Sequence, residues 1–472
     1  MHGAVLRFYP ILGLLALGAC TVGPDFVPPK PAAPASYLPP GETDGKNAAN
    51  ATPVAAWWTL FRADRLDTLI RQAIADNPSI AAADARLAAG QEDVAAASGA
   101  LYPQASVSAG VGRNKINLAS FGFQGQNPVL NFYSLGPSVS YALDVFGGTR
   151  RRIEGQAALL EVDRQQLAAA HLVLAGQVAT AAATIAAARA QLAALDDIVA
   201  NDHRNLDLVR TAQAAGTGTR VEVLSAASQL ANDETLLPPV RQQLSVARHA
   251  LSIFVGKAPG DWSPPDFDLG EFFVPEPLPL AVPSALVHRR PDILAAEAAL
   301  HAANADIGVA TAQLYPSITL TAAIAQGATK PNLFFSGASS GWNVGAGLFA
   351  PIFNGGTLRA KRRASIDLFK ASLDTYRQTI LQAFGQVADS LAALEHDAQE
   401  QAAETTALDA ANTSLGLARE SYRAGQSSIL QVLDAQRQYQ QARLGLVRVQ
   451  AQVLTDTIAV LVATGSGTGS AS

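Results

Sequence analysis

Apolar residues along much of this chain return at every seventh position. Between residues 150 and 211 they are Val178, Ile185, Leu192, Val199 and Leu206. A second series runs Ile366, Leu373, Ile380, Val387 and Leu394, and after one Gln401 it continues as Leu408, Leu415 and Tyr422. Two further series follow, Val223, Leu230, Leu237, Leu244 and Leu251, then Val432, Tyr439, Leu446, Val453 and Val460. A strict seven-residue repeat predicts helices that pack knobs-into-holes against a neighbouring helix. The pattern predicts long helices at about 150–212 and 220–255, and again at about 357–423 and 428–463. Sixty-odd residues at 1.5 Å each span roughly 90–95 Å, longer than an ordinary domain. Pro238-Pro239 predicts a break in the first return helix.

Elsewhere the period drops to two. Val139, Tyr141, Leu143 and Val145 share one face of a strand, and Ile318 and Leu320 oppose Thr319 and Thr321. The run Trp342 to Leu348 alternates in the same way, and Val107, Ala109 and Val111 do so more weakly. Strands are expected at about 104–113, 133–146, 316–326 and 341–350, joined in pairs by Gly-rich polar linkers at 114–130 and 327–341. Such dyads fit membrane strands facing lipid on one side. They fit equally a soluble antiparallel sheet half buried on a core.

The chain also repeats itself once. Asn77-Pro78 through Tyr102-Pro103 aligns with Arg290-Pro291 through Tyr315-Pro316 at an offset of 213. Gly147-Gly148-Thr149 aligns with Gly355-Gly356-Thr357 at 208, and Ala215-Gly216 with Ala424-Gly425 at 209. Each half reads helix, two strands, long helix, turn, helix. Gly147, Gly148, Gly355 and Gly356 mark sharp strand-to-helix turns. They lack the Gly-x4-Gly-Lys-Ser/Thr spacing of a phosphate loop. Gly216-Thr217-Gly218-Thr219 and Gly425-Gln426-Ser427-Ser428 mark hairpin turns. Thr219 with Glu222, and Ser428 with Gln431, have the spacing of capping boxes. The expected division is 57–257 and 290–463 as two repeats, joined by a connector at 258–289.

Composition narrows the reading. The chain has 34 Lys plus Arg against 39 Asp plus Glu, without the basic stripe a nucleic-acid binder needs. Its single cysteine, Cys20, excludes an intrachain disulfide. Residues 1–19 hold a short apolar run ending Leu17-Gly18-Ala19, which reads as a signal peptide whose cleavage leaves Cys20 first. This resembles a bacterial lipobox, so a lipid is expected on Cys20, and Thr21 after it suits outer-membrane delivery. Residues 20–56 are Pro-rich and are expected to form an extended lipidated tether, while 464–472 are expected to be disordered. No segment after the leader reads as long and apolar enough for a membrane helix. The seven histidines are scattered, without a metal-ligand pair, and no nucleophile elbow is present, so neither an enzyme nor a metal or cofactor site is expected.

Four membrane strands cannot close a barrel, because the smallest use about eight and lipid does not tolerate an open edge. Several copies must combine, their helical hairpins standing side by side as a duct.

Several stretches resemble outer-membrane efflux proteins of the TolC-like family. Trp57-Trp58-Thr59-Leu60-Phe61 with Leu66-Asp67-Thr68-Leu69-Ile70 resembles the family's opening. Cys20-Thr21-Val22-Gly23-Pro24-Asp25-Phe26 resembles the mature start of its lipoprotein (NodT) branch, which works with RND pumps. Arg289-Arg290-Pro291-Asp292-Ile293 is that branch's most distinctive stretch, and 422–436 resembles its C-terminal tip motif. Arg290 and its neighbours are expected to serve a structural role, anchoring the belt at 258–287.

The resemblance covers essentially the whole chain. It implies a fold mainly α with a small β part: a TolC-like outer membrane factor with four membrane β-strands per protomer, hence a twelve-stranded barrel in the homotrimer, continued by a periplasmic α-helical coiled-coil barrel. It implies a periplasmic adaptor and an inner-membrane RND pump as partners, and outer-membrane lipid around the barrel. It places a periplasmic gate at Leu430 and Asp434, with Arg437 a turn further on, and adaptor contacts at the two hairpin turns. A duct for type I secretion or metal efflux, and a lipidated periplasmic coiled-coil adaptor, are the alternatives.

Overall fold

The structure, a computed structural model, describes residues 21–30, 34, 36–37, 48–49, 56–122, 124–275, 277–280 and 283–465. The expected leader, Cys20 with its lipid, and residues 466–472 lie outside the described residues. The chain forms two compact units, residues 1–30, 86–163 and 295–376 in one, and 31–85, 164–294 and 377–472 in the other. Each unit therefore draws on both halves of the internal repeat.

The first unit is built around a four-stranded antiparallel sheet: β1 (Gln104–Lys115), β2 (Val129–Leu143), β3 (Ser317–Ala328) and β4 (Ser340–Phe349). The strands pair in chain order, so the sheet is a meander. β1 and β2 run past their alternating segments, because the ladder continues through Lys115↔Val129. Main-chain pairing does not depend on side-chain alternation, so the first linker shortens from the expected 114–130 to 116–128. β2 stops at Leu143, short of the expected 146, because Asp144 turns to cap the next helix. Its carboxylate accepts the Thr149 and Arg150 N–H groups at 2.8 and 2.9 Å. Pro137 sits inside β2, where it removes a ladder donor, and β2–β3 pairing lapses at Gly136 and Pro137 and resumes in the same register at Ser138↔Ala323.

Helices carry the rest. They are α1 (Asp64–Asp76), α2 (Pro78–Gly99), α3 (Gly148–Ala214), α4 (Arg220–Glu234), α5 (Leu237–Phe254), α6 (Pro291–Ala312), α7 (Thr357–Arg423) and α8 (Ile429–Ala463). α3 and α7 have 67 residues each, about 100 Å of helix. Asn77 opens α2 as expected, its Oδ1 accepting the Ser79 N–H at 2.8 Å, with Pro78 at the first helical position. The expected break lies between α4 and α5, with proline in the first turn of α5.

In the second unit the sevenfold series supplies the packing. Every residue of the α4–α5 and α8 series is buried or half-buried, and so are those of α3 from Val178 onward and of α7 from Ile380 onward. An aromatic cluster of Trp57, Phe61, Phe267 and Phe272 supports α1, and Trp58 Nε1 donates to Asp67 at 2.8 Å. Residues 48–49 and 279–280 form a two-residue parallel bridge.

One expectation is corrected. α3 and α8 each contain an 18-residue window apolar enough, by length and composition, to cross a membrane. Part of each helix packs inside the protein: Val178, Ala179, Ala182 and Ile185 of α3, and Ile458, Val460 and Leu461 of α8, are fully or almost fully buried.

Candidate functional site

The sheet register sorts its side chains into two unlike faces. One face carries Val107 and Val111 of β1, Tyr133, Leu135, Val139 and Tyr141 of β2, Leu320 and Ile324 of β3, and Trp342, Val344 and Leu348 of β4. The other carries Ser106, Ser108, Ser134, Ser138, Ser140, Thr319, Thr321, Asn343, Gly345 and Gly347, with Leu130, Phe132 and Phe349 only at strand ends. A soluble sheet buries its apolar face on a core. Here Trp342 is 78 % exposed and Val344 74 %. An apolar belt four strands wide, covered within its unit only where the β3–β4 loop folds over its end, is the pattern of a membrane sheet. Aromatic rings edge it at both ends. Tyr133 and Trp342 lie toward the loops, while Phe146 and Tyr315 stack at 4.7 Å where the strands meet the helices. The outer edges of β1 and β4 have no strand partner among the described residues.

The strand-to-helix turns need their glycines for different reasons. Gly147 has φ +73°, and a Cβ there would come within 2.2 Å of Thr21 Cγ2. Gly355 and Gly356 have φ +61° and +85° in open space, so conformation alone selects glycine. Gly148 is the first residue of α3, and a side chain on it would press on Ala312.

Residues 21–26 have no regular secondary structure, yet they are docked rather than a free tether. The Val22 N–H donates to Phe146 O at 3.1 Å, and Arg151 of α3 pairs with Asp25 at 2.6 Å and Glu154 at 2.8 Å. Asn304 of α6 donates to Pro24 O at 3.0 Å, and Phe26 stacks on His301 at 4.4 Å. Glu154 lies below the usual carboxylate range: desolvation opposes this, but Arg151 and His301 outweigh it.

The two hairpin turns close by the same device. Thr217 N–H donates to Ala212 O at 3.0 Å and Gln426 N–H to Ser421 O at 2.9 Å, with Gly216 and Gly425 at φ +77° and +70°. Gly218, Thr219, Ser427 and Ser428 complete the turns. Thr219 and Glu222 form the expected capping box. Ser428 and Gln431 do not: the Gln431 N–H donates to the Ser428 carbonyl at 3.2 Å, and the Ser428 side chain makes no capping bond.

Leu430, Asp434 and Arg437 fall on one stripe of α8. Its opposite face, Ile429, Val432 and Ala435, packs on Leu206, Val209, Leu230 and Leu415. Leu430 is 40 % exposed, and Asp434 forms an ion pair with Arg437 and accepts from Gln438 at 3.1 Å. Sequence reasoning missed what lies behind the stripe. Asp202 of α3 accepts from Gln436 at 3.1 Å and Gln440 at 3.3 Å, and Gln436 also accepts from Asn205 at 2.9 Å. Burial, then the neighbouring Asp233 of α4, push the Asp202 acid up to about 7. Asp397 of α7 is likewise raised to about 7, by burial and then by the neighbouring Asp456. The available signal was an Asp in a packing seam: Leu195, Asp202 and Val209 follow at sevens.

In the Arg-Arg-Pro-Asp stretch, Arg290 ties the start of α6 to α7 and α8. Arg290 grips Asp292 with two bonds, at 3.0 and 2.6 Å. It also donates to Ala463 O at the end of α8 and to Gln386 of α7, both at 2.8 Å.

The family profile described as outer membrane efflux protein matches residues 69–257 and 282–466. The chain belongs to the outer membrane efflux protein family. It is 32 % identical to the pyoverdine export outer membrane protein OpmQ of Pseudomonas aeruginosa, over 97 % of this chain and 96 % of that one. It is 28 % identical to nodulation protein T of Rhizobium leguminosarum bv. viciae, over 96 % and 92 %. Among solved structures, the outer-membrane channel OprN superposes with a TM-score of 0.88 at 26 % identity, covering 95 % of this chain and 99 % of that one. The open-state MtrE outer membrane channel of Neisseria gonorrhoeae gives 0.83 at 26 %, covering 95 % and 98 %. The relatives are channel proteins, which places this efflux protein in the outer membrane and gives the exposed part of the apolar belt its solvent.

Proposed function

We propose that this efflux protein is the outer-membrane duct of a tripartite RND-type pump, assembled as a homotrimer and conducting small molecules passively, without catalysis. The supporting observation is the sheet: one continuous apolar face, one small polar face, and two free edges. Backbone groups on a free edge cost several kcal/mol each in lipid. Pairing β1 of one copy with β4 of the next removes both edges, and three copies give twelve strands around a lumen lined by Ser, Thr and Gly. A lipidated adaptor would have no use for such a sheet. OpmQ is named for pyoverdine and the relative CusC of Escherichia coli for cations, so cargo is not set by the shared duct.

In this reading a lipid on Cys20 sits directly before the docked residues 21–26. Three Leu430 side chains narrow the periplasmic tip, three Asp434 carboxylates form an acidic ring above them, and Arg437 partly neutralises it. The exposed turns 216–219 and 425–428 meet the adaptor, which couples the duct to the inner-membrane pump. Native mass spectrometry of the detergent-solubilised protein, followed by planar-bilayer recording, tests the core of this. A trimer with stepwise conductance is expected. A non-conducting monomer would overturn it.

A further inference from the structure

The loop between β3 and β4 does not stand clear of the sheet. The side-chain amide of Gln326, on the apolar face, donates to the carbonyl of Phe334 and to that of Ser336 at 3.2 Å. The Ser336 and Ser339 hydroxyls both donate to Leu333 O at 2.7 Å. Phe334 and Phe335 pack edge to face at 5.1 Å. This bonded loop roofs a groove of about 470 Å³ on the apolar face, floored by Val111, Tyr133 and Leu135 and closed by Pro331, Phe334 and Phe335. Phe335 is 87 % exposed.

Charge around the groove has one sign. Residues 104–143 and 317–349, the four strands and both loops, contain Arg113, Lys115 and Lys330 and no Asp or Glu. Arg113 and Lys115 continue the face of Val111, about 7 and 13 Å further along β1. Lys330 directly precedes Pro331 at the mouth. All three are exposed, and none has an ion pair or side-chain hydrogen bond among the described residues. An apolar slot below a cluster of unpaired cations matches an acyl chain below an anionic headgroup. The loops lie at the end of the sheet away from the helices, which in a bacterial barrel is the outer leaflet.

We propose that the groove seats one acyl chain of a phosphate-bearing, multiply acylated glycolipid of the outer leaflet, with Arg113, Lys115 and Lys330 on its phosphates. The inference rests on the membrane reading of the sheet given above. Phe334 and Phe335 hold the chain against β1 and β2, while the three cations select net-anionic phosphate monoesters over a headgroup whose phosphate is balanced by its own ammonium. The groove belongs to one protomer, so a trimer carries three such sites.

The test uses the full-length protein in detergent, with three probes: bisphosphorylated lipid A, the same lipid dephosphorylated, and phosphatidylethanolamine. Native mass spectrometry reads both oligomeric state and retained lipid. Wild type should retain lipid A at least tenfold over the other two. The Arg113→Gln, Lys115→Gln, Lys330→Gln variant should lose that preference, and Lys330→Gln alone, in a loop, serves if the triple variant does not assemble. Equal retention of the three lipids by a trimeric wild type, or an unchanged preference in an assembled variant, would overturn the site and leave the duct standing. A wild type that stays monomeric would overturn both.

Discussion

Replacing Asp202 with Asn tests how the tip is held. Asp202 is 3 % exposed, where α3, α4, α7 and α8 meet. It faces Asn205 on its own helix, Asp233 with its partner Gln229 on α4, and Gln436 and Gln440 on α8. Arg419 of α7 reaches only Gln436, at 3.4 Å. Asp202 Oδ2 meets no donor among the described residues, so the buried Asp202 carboxyl is best satisfied when it carries its own proton and donates it toward Asp233.

The sign follows from the raised acid. Its reference value is 3.8 and its folded value about 7, so the folded tip binds the proton more tightly. Between those values stability falls as pH rises, and above about 7 the full penalty is present. Three pK units correspond to about 4 kcal/mol, and sharing between two carboxyls leaves on the order of 2–4. Asn is neutral throughout, keeps an oxygen for Gln436 and Gln440, and offers Asp233 a donor. Amide hydrogen exchange along α8 reads this locally, corrected for the intrinsic pH dependence of exchange. Wild-type protection around residues 429–440 should drop from pH 5 to pH 8. Asp202→Asn should hold it, exceeding wild type by 30-fold or more at pH 8 and matching it near pH 4 and below. Wild-type protection that is flat with pH, or a variant less protected at pH 8, refutes the account.

Three other outcomes are expected. Gly147→Ala places a methyl group on Thr21 at positive φ and should cost about 1–3 kcal/mol, seen as a lower yield of assembled oligomer, whereas Gly356→Ala meets only the conformational penalty. Val344→Lys puts a charge on the apolar face of β4 and should lower stability in lipid by about 2–4 kcal/mol in refolding titrations, while Asn343→Lys, on the polar face, should not. Asp434→Ala removes the acidic ring and frees Arg437, so purified channels should conduct more than wild type in planar bilayers; equal conductance removes the gate role.

The long helices were legible because a seven-residue period is redundant, and one disrupted position such as Gln401 does not hide it. The meander was legible as four strands, but not in its lengths. Lys115 pairs with Val129 through main-chain atoms that carry no hydropathy signal. The Asp202 site was half legible: the Asp stands out in its seam, but its partners Gln436 and Gln440 lie more than 230 residues away, beyond any local pattern. Docking of residues 21–26 left no trace at all. A Pro-rich stretch reads as extended, and its extended backbone is what Arg151 and Asn304 bind.

The two hairpin turns show why spacing alone misleads, and where the tip should yield. Both sequences offer a hydroxyl followed three residues later by an acceptor. Only the first forms the box, where the Glu222 carboxylate accepts the Thr219 N–H and the Thr219 hydroxyl accepts the Glu222 N–H at 3.3 Å. At the second turn neutral Gln431 lacks the charge that draws an acid back to a helix N-terminus, and the first turn tightens onto the Ser428 carbonyl instead. A missing cap leaves a helix start weaker by about 1 kcal/mol. That start belongs to α8, the helix that carries Leu430, Asp434 and Arg437, so the uncapped end lies one residue from the proposed constriction. Gln431→Glu should restore the box, raise amide protection at residues 428–432 about threefold, and make spontaneous openings rarer in bilayer recordings. Protection that rises while the opening rate stays constant would separate the cap from the gate and show that α8 moves as a rigid rod.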